Sequence, residues 1–194
     1  MQSALDFASD AAEPASPFPP APRCHRAPVL VTERLRLRPF REDDLDAFAA
    51  MCADAEVMRY IGTGAPVARD VAWRQMAMLN GEWSLRGYGH WAIERLVDGV
   101  LIGRAGFLHP EGWPACELGW LLAREAWGRG YAVEAAREAL SQRVTLGVPG
   151  GLISLIRPDN APSVRLAERL GATEREEIDF LGGRCKVFAH PDAR

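Results

Sequence analysis

The chain has 194 residues, 48% of them hydrophobic and 25% charged, with a formal net charge of −3. That is the composition of a single globular domain large enough to bury a core. Its near-neutral balance supports neither nucleic acid nor an anionic membrane as a partner, and no apolar run approaches the ~20 residues needed to span a bilayer.

Six of the fourteen prolines precede Val29, in a stretch rich in Ala and Ser without apolar periodicity. Residues 1–28 therefore read as a disordered extension. They lack the basic start and continuous apolar segment of a secretory signal. Residues 29–194 form the single folded domain. Cys24, Cys52, Cys116 and Cys185 are scattered without metal-ligand spacing; no metal is expected, and a reducing cytoplasm suits them better than a disulfide framework.

Thr32 to Arg38 alternates, with Leu35 and Leu37 on one face, and predicts the first strand, ended by Pro39. Glu42, Asp43 and Asp44 supply acids for a helix's first turn, and Leu45, Phe48 and Cys52 its apolar stripe. A second helix is predicted over 67–86, with Ala72, Met76, Leu79 and Trp83 inward and Gly87 as its C-terminal cap. The segment between these helices, Met58 to Ala65, reads as a flexible loop. His90–Leu96 and Leu101–Leu108 form an antiparallel hairpin on the Asp98-Gly99 turn, and Glu117–Leu122 is a buried strand.

That strand runs into Trp127-Gly128-Arg129-Gly130-Tyr131-Ala132-Val133-Glu134-Ala135, a Gly-x-Gly turn opening a helix whose apolar positions are Ala132, Val133, Ala136, Leu140 and Val144. Two glycines free to take positive φ, followed by the unpaired N–H groups of a helix start, make an anion cradle suited to a phosphate or pyrophosphate. The turn has no lysine, which excludes a Walker loop, and Val133 stands where a dinucleotide fingerprint needs its third glycine. Then come a second apolar strand, Gly151–Ile156, and a helix with Pro162 in its first turn and Gly171 past its end. Thr173–Leu181 and Arg184–His190 flank Gly182-Gly183 as a closing hairpin.

Together, Trp-Gly-Arg-Gly-Tyr-Ala-x-Glu-Ala and the segment Arg157-Pro158-Asp159-Asn160-Ala161-Pro162-Ser163 through Leu170-Gly171-Ala172 resemble the GNAT superfamily of acyl-CoA-dependent N-acyltransferases. Within it, the opening Thr-Glu-Arg-Leu-x-Leu-Arg-Pro-Phe is similar to the Rim-type ribosomal-protein N-terminal acetyltransferases. The element order already predicts an α/β (α+β) fold, a mixed sheet of about seven strands with helices on its faces. The resemblance implies that this sheet is mostly antiparallel and that the parallel Glu117 and Gly151 strands splay where a cofactor slots in.

The resemblance implies acetyl-CoA as co-substrate and an amine acceptor, a small molecule or a protein N-terminus, used by a monomer or homodimer. The N–H groups of Gly128, Arg129, Gly130, Tyr131 and Ala132 would hold the pyrophosphate. The free backbone at Leu121 and Leu122 would pair with pantetheine, and Asn160 would hydrogen-bond it. The Arg129 side chain faces either phosphate or water. Glu125 departs from the family's Gln or Arg and is left out of the site. Glu117, heading its strand, is the candidate base for the amine, or else an exposed strand-end acid. Relatives often place a Tyr in the helix after Asn; none is present, and Ser163 takes the leaving-thiolate role unless it only satisfies helix backbone. Tyr60 is the candidate on the acceptor side, or a structural plug. None of the four histidines, His25, His90, His109 and His190, sits at a motif position. A non-catalytic acyl-CoA-binding sensor is the alternative; a nucleotide-phosphate binder is hard to square with the Asn-x-x-Ser half.

Overall fold

The computed structural model describes residues 27–192. Its centre is an eight-stranded sheet in the order β1-β2-β3-β4-β5-β6-β8-β7. The strands are β1 (Leu30–Val31), β2 (Leu35–Arg38), β3 (His90–Arg95), β4 (Leu101–Leu108), β5 (Glu117–Leu122), β6 (Ile153–Ile156), β7 (Thr173–Phe180) and β8 (Gly183–Ala189). Neighbours are antiparallel except β5 and β6. The expected strands are β2 to β8, and Leu30–Val31 adds a short edge. Thr32 stands outside the first strand because its hydroxyl and N–H turn back onto the Leu35 carbonyl.

The helices are α1 (Leu45–Ala53), α2 (Ala55–Met58), α3 (Arg69–Arg86), α4 (Tyr131–Ser141) and α5 (Ala161–Arg169). On one face of the sheet, Phe48 and Cys52 of α1 and Ala72, Met76 and Leu79 of α3 pack on Ala92, Leu101 and Leu121. On the other, Tyr131, Ala135 and Ala139 of α4 pack on Leu35, Leu37, Phe107 and Leu118. All four inward positions expected of α3 are buried, and Gly87 closes it at φ 80°. α4 stops at Ser141, so Val144 lies beyond it and is exposed.

The extension is expected over residues 1–28, of which 1–26 lie outside the described residues. Ala27 and Pro28 join the fold: Ala27 is buried in the core, and the Pro28 carbonyl accepts a 2.8 Å hydrogen bond from Trp91 Nε1. Asp44 is more than a helix-start acid. It is buried and receives both η nitrogens of Arg38 at 2.7 and 2.8 Å, while Arg38 Nε reaches Glu94 at 2.7 Å. Removing one member of such a network strands a buried charge.

The segment after α2 is not a loose loop. Ile61 and Gly64 N–H groups close successive turns on Met58 and Ile61, and Arg157 Nη2 holds the Gly62 carbonyl at 2.7 Å. In the closing hairpin the turn is Leu181-Gly182, one residue earlier than expected, with φ of 47° and 76°.

Candidate active site

β5 and β6 share a single paired position, Glu117 with Ile153, and then part. Ser154 bridges the opening: its hydroxyl donates to the Leu118 carbonyl at 2.6 Å and lies 2.8 Å from His190 Nε2. The hydroxyl has one proton and gives it to Leu118, so His190 Nε2 is the donor in the second bond. Burial, and then the Arg143 charge, push the His190 pKa down to about 4, keeping the ring neutral.

Backbone direction in the opening follows from the β4–β5 ladder. Ala123 N–H bonds Ile102 on the β4 side, and residues alternate, so Leu121 also faces β4 while Trp120 and Leu122 face the opening. The free backbone expected at Leu121 and Leu122 thus belongs to Trp120 and Leu122. The Leu122 carbonyl is already taken by Trp127 Nε1 at 2.9 Å; Leu121 contributes side chain.

A cavity of about 580 Å³ runs along this opening, walled by Leu121, Leu122, Gly128, Gly130, Tyr131 and Ala132. Gly128 and Gly130 have φ of 72° and 81°, and no side chain among the described residues caps the start of α4. N–H groups left bare at a helix start attract anions. The loop is held from outside. Glu134 accepts from Thr32 Oγ1 at 2.6 Å, Arg34 N at 2.9 Å and Arg34 Nε at 2.7 Å, and Arg34 Nη1 in turn holds the Arg129 carbonyl at 3.0 Å. With its carboxylate neutralised by Arg34, Glu134 opposes no anion at the helix start. The Arg34 guanidinium also lies 4.7 Å over the Tyr131 ring. The Arg129 side chain is exposed, outside this wall, whereas Arg165 and Arg169 of α5 line it. Glu125 borders a separate hollow with Asp54 and Arg95.

A second cavity, about 330 Å³, lies on the α1/α3 face of the sheet and contains Glu117, His90 and Arg104. The two cavities meet at Tyr60, Ile61, Trp120, Asn160 and Ser163. Asn160 caps α5, its Oδ1 accepting from Ser163 N at 3.3 Å, so its amide N–H groups are the part left for a ligand. Ser163 Oγ accepts from Trp120 Nε1 at 3.2 Å, which leaves its own proton to donate.

Glu117 is not an exposed strand-end acid. Burial pushes its pKa up, opposed by the hydrogen bond from Trp113 Nε1 at 2.7 Å and the charge of Arg104. Trp113 is itself pinned edge-on against Phe180 of β7, centroids 4.9 Å apart. Gly119 leaves space in front of the acid: a Cβ there would lie 3.4 Å from His90 Nε2 and 3.8 Å from Glu117 Oε1. His90 is fully buried, and its Nδ1 stands 3.0 Å from Arg104 Nη1. Burial, then Arg104, hold this imidazole well below its ordinary pKa. Being neutral, it accepts from Arg104 at Nδ1 and carries its proton on Nε2, which has no partner among the described residues.

Sequence reasoning named Glu117, Asn160, Ser163 and Tyr60, and the structure brings them together. It missed Trp113, Trp120, His90, Arg104, Arg157 and the Arg34–Glu134 buttress. Among the described residues no cluster of His, Cys, Asp and Glu could hold a metal, and no helix is long and apolar enough to cross a membrane.

Residues 34–173 match the Acetyltransferase (GNAT) domain family. The uncharacterized protein YkkB of Bacillus subtilis (strain 168) is 33% identical over 147 residues, covering 73% of this chain and 83% of YkkB. The crystal structure of an acetyltransferase from Agrobacterium tumefaciens superposes with a TM-score of 0.76 at 32% identity, over 86% of this chain and 95% of that one. RimL, a ribosomal alpha-N-protein acetyltransferase solved with coenzyme A, superposes with a TM-score of 0.70 at 16% identity, over 84% and 97% of the two chains, and shares the fold.

Proposed function

The chain belongs to the GNAT acetyltransferases, and from that premise we propose that it moves an acetyl group from acetyl-CoA to a primary amine by direct attack in a ternary complex. The observation that carries this reading is the meeting of two cavities. One ends in an N–H cradle, the other contains the half-buried Glu117 carboxylate, and Ser163 lies where they join.

In this reading the N–H groups of Gly128 to Ala132 hold the pyrophosphate, with Arg165 and Arg169 as further cations on the wall. The Trp120 and Leu122 backbone and the Asn160 amide hold the pantetheine arm. Glu117 takes the proton of the amine, directly or through water in the space over Gly119. Its raised pKa brings it closer to that of its task. The Trp120 N–H, turned into the opening, stabilises the oxyanion. Ser163, held by Trp120, donates its proton to the departing thiolate. Tyr60 and the turns after α2 wall the amine's entrance. Three buried free cysteines, Cys52, Cys116 and Cys185, accord with a reducing cytoplasm.

The test is release of CoA thiol from acetyl-CoA with a panel of amines that includes N-terminal peptides. We expect acceptor-dependent release, reduced roughly 100- to 10,000-fold in Glu117→Gln with CoA binding retained. Below the folded pKa of Glu117 the base is protonated, so kcat/KM should fall with acid on a limb lying above the ordinary carboxylate range and absent from Glu117→Gln. CoA binding without turnover on any amine would favour a non-catalytic sensor.

A further inference from the structure

Two guanidinium groups border the acceptor cavity, and they are placed differently. Arg157 is fully engaged: its η nitrogens donate to the carbonyls of Phe180, Arg184, Gly62 and Leu181 at 3.2, 3.3, 2.7 and 3.0 Å. It fastens the turns after α2 to the β7–β8 hairpin. The Arg104 side chain makes one hydrogen bond among the described residues, to His90 Nδ1. No carboxylate there forms an ion pair with it, although it stands in the middle of β4 on the face it shares with Glu117. It is half-buried and lines the cavity, which leaves its remaining donors available there.

An arginine so placed has a cost that a simple amine would raise. An approaching ammonium group meets a positive charge that only Glu117 offsets. An acceptor bringing its own oxyanion removes that opposition and supplies the planar partner that a guanidinium fork matches. The cavity's 330 Å³ is of small-ligand size. We propose that Arg104 is the specificity residue for an acceptor that is a small amino acid: a primary amine presented to Glu117 and a carboxylate held by the open donors of Arg104. The neutral His90 fixes one edge of the guanidinium and so aims the others into the cavity.

This rests on the acetyl-transfer reading above, and the experiment separates the two. Matched acceptors, an amino acid, its primary amide and its decarboxylated amine, are compared in the wild type, Arg104→Met and Arg104→Lys. CoA binding by calorimetry verifies that each variant is folded. The wild type should favour the acid-bearing member in kcat/KM by roughly 10- to 100-fold. Arg104→Met should bring that ratio toward one, and Arg104→Lys should keep part of it. Equal use of all three acceptors by the wild type would overturn the proposal. So would an equal loss on all three in Arg104→Met, which would make Arg104 a support for His90 and Glu117 only. If no amine turns over, acetyl transfer fails, and calorimetric binding of the same acceptors in the presence of CoA still decides: acid-dependent binding lost in Arg104→Met upholds the subsite, and its absence in the wild type refutes it.

Discussion

Replacing Ser154 by Ala should remove the bridge across the opening between β5 and β6. Ser154 and His190 are 1% and 5% exposed, so neither the Leu118 carbonyl nor the His190 Nε2–H can turn to water once the hydroxyl is gone. Each stranded group costs about 1–3 kcal/mol, and the pair roughly 2–6 kcal/mol of folding stability. The same bridge sets an acid limit. His190 has a folded pKa of about 4, against ~6.5 unfolded. As pH falls the unfolded chain takes its proton first, so this contribution is complete above pH ~6.5 and declines to pH ~4, by about 3 kcal/mol in all. Urea unfolding of the wild type, Ser154→Ala and His190→Gln, from pH 7.5 to 4.5, measures both effects. Gln keeps a donor but cannot titrate, so His190→Gln should lose about 2–3 kcal/mol less than the wild type over that interval. The slope from His90, also held neutral, cancels in the difference. An unchanged pH dependence in His190→Gln would show that His190 accepts its proton while folded. A Ser154→Ala stability within ~0.5 kcal/mol of the wild type would refute the bridge.

The other predictions concern the cofactor and acceptor walls. Glu134→Ala should free Arg34 and the Arg129 carbonyl and weaken CoA binding about 5- to 30-fold by calorimetry; an unchanged Kd would mean that Arg34 holds the loop unaided. Ser163→Ala should lower kcat about 10- to 100-fold at saturating substrates, and no loss would move the thiolate's donor elsewhere, with the Tyr60 hydroxyl at the junction as next candidate. Leu181 has φ 47° at the hairpin tip that overhangs the acceptor cavity, a conformation costly for Leu and easy for Asn. Leu181→Asn should raise Tm by about 2–4 °C while raising the acceptor KM, and a lower Tm would show that packing of Leu outweighs its backbone strain.

The two ends of the larger cavity were legible because their chemistry is local. A Gly-x-Gly turn at a helix start is a cradle wherever it folds, and an Asn three residues before a Ser can cap the helix they open. The element order was legible for the same reason, since alternation and helical spacing act within one segment. Trp120 was read as one more apolar residue of a strand, and only its approach to Ser163, 43 residues later, gives its indole a role. Arg104 carried a signal of its own, a charge between Gly103 and Gly106 in a mostly buried strand.

By itself, then, the sequence determined the mixed sheet, the four longer helices, the Gly-x-Gly turn at the start of α4 and Glu117 as the acid at the head of its strand. Tertiary structure alone decided which backbone faces the opening, because that depends on which edge of β5 pairs with β4. It also decided that Arg104 forms no ion pair among the described residues while Arg157 is surrounded by carbonyls. Whether a charge is satisfied depends on what other segments bring within hydrogen-bond reach, and no pattern along one segment records that.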